Sequence, residues 1–236
     1  MTVVGSNNKR IAKNTLLLYF RMLFTMIVSL YTSRVVLKVL GVEDFGVYNV
    51  VGGVVAMFSV ISGSLSTAIS RYITYELGKH NIEQLKKVFS TAIAIQALLA
   101  LLIIILAEIA GVWFLNTKMN IPVERIYAAN WVLQCSIFTF AVNLISLPYN
   151  AVIIAHEQMS AFAYISIIEA VLKLLVTFAV IWAPFDKLIF YAALIMLIGM
   201  INCGVYVYYG FRHFEECRHF TIKADRPMMK QMLFFV

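Results

Sequence analysis

The chain has 236 residues, 62% apolar and 13% charged, with 19 Lys and Arg against 12 Asp and Glu for a net charge of +7 and a mean hydropathy of +0.86. Soluble domains are about 45–50% apolar and about 25% charged, so these figures exclude an ordinary soluble domain, and with it disorder, collagen, coiled coil and a disulfide scaffold. Of three cysteines, Cys135 and Cys203 lie in apolar runs and Cys217 in a charged segment, which gives neither metal spacing nor a disulfide framework.

Six apolar segments follow one another: residues 14–37, 46–69, 88–114, 126–155, 160–183 and 188–211. Each exceeds what a helix needs to cross about 30 Å of hydrocarbon at about 1.5 Å per residue. Period-2 alternation is absent, and a backbone facing lipid must satisfy its own hydrogen bonds, so the expected fold is all-α, a polytopic transmembrane helix bundle. The first segment is too long for a cleavable signal peptide, contains Arg21 and lacks a small-residue cleavage site. A seventh run opens at Met228 and stops at Val236. The organisation expected is therefore a six-helix lobe over 1–211, a cytoplasmic connector over 212–227 and the start of a truncated seventh helix over 228–236.

The cations explain the basic balance through topology rather than through nucleic acid. Lys9, Arg10 and Lys13 precede the first span, Arg71, Lys79, Lys86 and Lys87 lie between the second and third, and Arg212, Arg218, Lys223, Arg226 and Lys230 follow the sixth. The opposite loops hold only Lys38, Lys118, Arg125 and Lys187. By the positive-inside rule the N-terminus and the even-numbered loops are cytoplasmic. The loop after Arg71, with Glu83 four residues before Lys87, reads as a membrane-surface helix.

Charge at membrane depth costs at least about 2.5–3.5 kcal/mol on insertion scales, so it marks protein-lined or wet faces. On a helical wheel Asn14, Arg21, Thr25, Ser29 and Thr32 of the first span fall within an arc of about 80°. In the fifth span Ser166, Glu169, Lys173 and Thr177 share a face, with Glu169 four residues before Lys173 in the favourable orientation for an ion pair. The fourth carries Ser136, Thr139, Asn143, Ser146 and Asn150 on one side, and Pro148 is expected to kink it or loosen its backbone bonding. The second has a narrow Gly/Ser face, and the sixth places Tyr191, Asn202, Tyr206 and Tyr209 together. Arg34 lies near the outer end of the first helix, Arg71 near the cytoplasmic end of the second, and Glu108 near the end of the third. No Walker loop, metal motif or nucleophile triad occurs, so no catalytic residue, metal ligand or cofactor is expected, and an enzyme is not indicated.

Three strings resemble a known family: NTLLLYFRMLFTMIVSLYTSRVVLKVLGVEDFGVYNVV (14–51), SRYITYELGKHN (70–81) and LPYNAVIIAHEQMSAFAYISIIEAVLKLL (147–175). They are similar to the polysaccharide transporter, or O-antigen flippase, family of the superfamily that also contains the multidrug exporters. The most telling pieces are Leu40-Gly41 followed by Asp44-Phe45-Gly46-Val47-Tyr48, and Arg71. The resemblance implies one lobe of a two-lobe transporter with twelve to fourteen helices. Its central cationic cavity would carry undecaprenyl-diphosphate-linked oligosaccharide across the bacterial inner membrane by alternating access.

On that reading Arg21 and Lys173 bind the diphosphate, Arg34 and Arg71 serve the two mouths, and Asn143 and Asn150 hydrogen-bond glycan hydroxyls. Glu169 or Glu108 leaves proton or sodium coupling open. The implied partners are the lipid-linked oligosaccharide, the bilayer, a missing C-terminal lobe or a second copy, and polymerase and assembly proteins. Two alternatives stand beside it. One is a drug or organic-cation antiporter, which would expose buried carboxylates, and the other is a non-transporting scaffold for glycan assembly.

Overall fold

The computed structural model describes residues 2–119 and 121–218, and their side chains except at 2–10, 60 and 61. Most of the expected connector and all of the seventh run lie outside the described residues. Within them every element is helical. The helices are α1 (Thr2–Ala56), α2 (Ser59–Gly78), α3 (Ile82–Leu106), α4 (Val112–Thr117), α5 (Ile126–Ala155), α6 (Met159–Ile181), α7 (Lys187–His213) and α8 (Glu215–Arg218). A π-turn at Ala107–Gly111 joins α3 to α4 without a break, and a single 3-10 turn, Val123–Arg125, leads into α5.

Among the described residues five helical stretches are long and apolar enough to cross a membrane: Ile11–Ala56, Ile82–Thr117, Val123–Ala155, Met159–Ile181 and Lys187–His213. The first is two helices joined at Gly41, whose φ of 83° and ψ of 170° are non-helical. Val36, before the bend, and Tyr48, after it, both pack around Tyr191. Twelve residues of unbroken helix would separate them by about 18 Å, so the chain doubles back at Gly41.

The expected second span, 46–69, is not one helix. It is interrupted at Met57–Phe58, where Phe58 N donates to Val55 O, three residues back rather than four, at 3.2 Å. The composition explains the interruption, because Gly52-Gly53 precede it and Ser59, Ser62, Gly63 and Ser64 follow it, all weak helix formers. The charged residues expected to form a separate surface helix are instead the opening turn of α3. Asn81 caps the start of α3, its side chain accepting a hydrogen bond from Gln84 N at 3.1 Å. Helix α5 runs unbroken through Pro148.

The central helix is α5, which touches α1, α2, α3, α4, α6 and α7, while α1 packs chiefly on α6. Thirty residues of α5 separate its ends by about 45 Å. At the end holding His156, buried Leu65, Ile69, Ile73, Phe89, Val152 and Ile153 form one core. Toward Gly41, Val51, Val132, Leu133 and Leu188 form another. The outward side of α1 exposes Leu16, Met22, Leu23, Met26, Ile27 and Leu30, an apolar surface that water would penalise and lipid would not.

Candidate functional site

The polar faces of α1 and α6 meet. Arg21, Thr25, Ser29 and Thr32 from α1 and Ser166, Glu169 and Lys173 from α6 line a cavity of about 350 Å³, with Tyr191 of α7 at one side. Arg21 Nη1 donates to Ser166 Oγ at 3.3 Å, and its guanidinium carbon lies 4.1 Å from the centre of the Phe162 ring. Its Nε is buried without a hydrogen-bond partner. Among the described residues Arg21 forms no ion pair.

Lys173 is held differently. Its Nζ donates to Glu169 Oε1 at 2.6 Å, and Asn202 Nδ2 of α7 donates to Glu169 Oε2 at 2.9 Å. The carboxylate is thus gripped from both sides and neutralises the lysine, although 44% of the Lys173 side chain and 28% of that of Glu169 stay exposed. Arg21, by contrast, is stacked on a ring and bonded to one hydroxyl. The ring face is a favourable support for a partly desolvated guanidinium.

The other sequence candidates are not brought into this cavity. Asn143 lines a second cavity of about 210 Å³ between α1, α5 and α7. Asn150 lines neither, and its Oδ1 is buried without a hydrogen-bond partner. Arg34 is exposed on α1 outside both cavities, and Arg71 borders a separate groove on α2 with Thr67, Tyr72 and Tyr75. Glu108 sits in the π-turn and accepts a hydrogen bond from Gln134 Nε2 at 2.9 Å, also outside the cavity.

Sequence reading missed Phe162, the platform under Arg21, although it falls four residues before Ser166 on the same helical face; an aromatic residue on a membrane helix carries no polar signal. It placed Asn202 and Tyr206 on one face of α7. It could not see that Asn202 completes the Glu169 pair or that Tyr206 lies beside Ser166, Glu169 and Arg21.

Both ends of the bundle carry further ionic contacts. Near Gly41, Arg125 Nε lies 3.1 Å from Asp44 Oδ1 and its Nη1 2.7 Å from Asp186 Oδ2. The Asp44 contact is ionic only, since that oxygen accepts no hydrogen bond. Asp186 also caps α7, accepting from Leu188 N at 3.0 Å and Ile189 N at 3.3 Å. At the other end His156 Nε2 lies 2.6 Å from Glu216 Oε1, and Phe214 stacks on the imidazole with centroids 4.3 Å apart. Beside that pair Cys217 is buried, and desolvation, reinforced by the Glu216 charge, pushes its thiol well above the ordinary cysteine range. Lys79, at the end of α2, is pushed up by its hydrogen bond to Tyr75, over whose ring it lies at 4.1 Å.

Relatives agree with this picture of helices in a membrane. The chain is 22% identical over 202 residues to the uncharacterized membrane protein EpsK of Bacillus subtilis (strain 168), an alignment that covers 85% of this chain and 39% of that protein. The chain thus spans well under half the length of the curated relative it matches, and no solved structure matches it. A sequence profile matches residues 11–235, nearly the whole chain, which therefore belongs to the polysaccharide biosynthesis protein family and is embedded in a membrane.

Proposed function

We propose that the chain is one lobe of a flippase that moves a lipid-linked oligosaccharide, carried on a polyprenyl diphosphate, across the bacterial inner membrane for polysaccharide synthesis. Counting the reversal at Gly41, the lobe crosses six times. The cation bias puts its N-terminus and the His156 end in the cytoplasm. A second lobe, from further sequence or from a second copy, would close the passage.

The observation that carries this reading is the state of Arg21. A diphosphate does not cross hydrocarbon unaided and needs a fixed cation on a polar path. Among the described residues Arg21 is a cation without a carboxylate on a polar cavity wall, whereas Lys173 already has its counter-ion in Glu169. Arg21 is therefore the first contact for the diphosphate. Lys173 follows only if the Glu169 bridge opens, and Glu169, once released, is the group that would take up a proton or sodium ion. The same pairing argues against an organic-cation exporter, because Glu169, the carboxylate among the described lining residues, is already paired.

The test is complementation in cells whose surface polysaccharide depends on the natural gene product. Arg21→Gln is expected to abolish export and to leave lipid-linked precursor on the cytoplasmic leaflet, with the protein still in the membrane. Lys38→Gln, an exposed cation away from the cavity, is expected to export normally. Normal export by Arg21→Gln would defeat the reading.

A further inference from the structure

The second cavity, of about 210 Å³, is lined by Tyr48 and Gly52 of α1, by Ser136, Thr139, Phe140 and Asn143 of α5, and by Ala192 and Ile195 of α7. None of its described lining residues is charged. Thr139 Oγ1 donates to Cys135 O at 2.7 Å, which leaves that hydroxyl oxygen free to accept. Asn143 is exposed to the cavity with both an amide donor and an amide acceptor, Ser136 adds a hydroxyl, and Tyr48 and Phe140 contribute aromatic surface.

Such a lining offers no charged partner to an ion, and a plain hydrocarbon would leave its polar groups unsatisfied. Alternating hydroxyl and amide groups beside an aromatic face suit a neutral polyhydroxylated ring. The volume lies below the roughly 300–1,000 Å³ of pockets for drug-sized ligands and matches a single sugar ring rather than an oligosaccharide.

The partition between this cavity and the Arg21 cavity is a pair of tyrosines. Tyr48 lines one, Tyr191 lines the other, and their rings meet edge to face with centroids 5.0 Å apart. We infer that the uncharged cavity is a binding subsite for one neutral sugar ring, and that Tyr48 and Tyr191 divide it from the anion cavity. The assignment of a sugar rests on the flippase reading, and the two can fail separately.

Gly52 supplies the variant that tests it. A Cβ built there meets nothing within 4 Å, and the backbone is helical, so the backbone accepts a side chain and Gly52→Leu projects one from a residue that lines the cavity. The measurement is saturation-transfer NMR on the purified chain in nanodiscs with a panel of methyl glycosides, alongside phosphorus line broadening of inorganic pyrophosphate. At least one glycoside is expected to give transfer that falls at least fivefold in Gly52→Leu and in Asn143→Leu while thermal stability holds, and that persists in Arg21→Gln. Pyrophosphate broadening is expected to vanish in Arg21→Gln and to survive Gly52→Leu.

No transfer from any glycoside in the wild-type protein, or transfer indifferent to Gly52→Leu, overturns the inference. Glycoside transfer without pyrophosphate broadening upholds the sugar subsite and counts against the diphosphate role of Arg21. Broadening without glycoside transfer does the reverse.

Discussion

Lys173 Nζ lies 2.6 Å from Glu169 Oε1, one helical turn away along α6, and Asn202 of α7 holds the other carboxylate oxygen at 2.9 Å. A fully sealed pair that loses one partner costs about 3–5 kcal/mol. Both side chains here are partly open to the cavity, so the coupling in a double-mutant cycle is expected near 1 kcal/mol. Glu169→Gln and Lys173→Met are each expected to lower the melting temperature in detergent, and the double variant to melt higher than their sum implies. Strict additivity would show that the bridge contributes nothing.

Gly41 carries the reversal of α1 in a backbone region open almost solely to glycine. A Cβ there meets no atom within 4 Å, so a substitution costs backbone strain alone. Gly41→Ala is expected to destabilise by about 1–3 kcal/mol, with no rescue from enlarging neighbouring space. An unchanged unfolding midpoint in mild denaturant would contradict this.

Arg125 ties three turns near Gly41 through Asp44 and Asp186. Asp44 is the buried member, at 8% side-chain exposure against 34% for Asp186. Arg125→Met strands the Asp44 carboxylate and is expected to cost about 1–3 kcal/mol. Asp186→Asn keeps a good cap for α7 and loses only an exposed pair, at under about 1 kcal/mol. Thermal melting that ranks the two variants the other way would refute the assignment.

Cys217 is buried against Gly210 of α7 and its thiol is pushed up by that burial. Labelling follows the thiolate, which forms as pH rises. Maleimide modification of Cys217 is therefore expected to stay slow through the range near pH 8.5 where an exposed cysteine reacts readily, and to accelerate only at higher pH. In Gly210→Ala the new Cβ would fall 2.8 Å from Tyr149 Cδ1 and 3.3 Å from Cys217 Sγ. That should displace Phe214–Cys217 and quicken labelling at neutral pH. Equal rates in the two proteins would show that the segment is not clamped.

Much of the cavity was legible on helical wheels. The stripe Arg21, Thr25, Ser29 and Thr32 and the stripe Ser166, Glu169 and Lys173 each follow the 3.6-residue period, and both face the same space. The resemblance carried by Leu40-Gly41 and Asp44-Phe45-Gly46 agrees with the family match. Less legible was the break at Met57–Phe58, where a run apolar enough for one span holds too many glycines and serines to remain one helix. The Asp44, Arg125 and Asp186 cluster joins residues far apart in sequence, and no periodicity relates them.

What the sequence alone determined is the solvent and the secondary structure. A chain this apolar, with polar residues confined to narrow stripes, has to form helices that bond internally and face lipid. The tertiary structure decided which stripes meet. It paired Glu169 with both Lys173 and Asn202, left Arg21 without a counter-ion among the described residues, and set Asn143 in a different cavity behind Tyr48 and Tyr191. The reason is that a helix fixes the direction of each side chain around its own axis, while lateral packing, through close approaches such as Gly199 against Thr139, fixes which axes lie side by side.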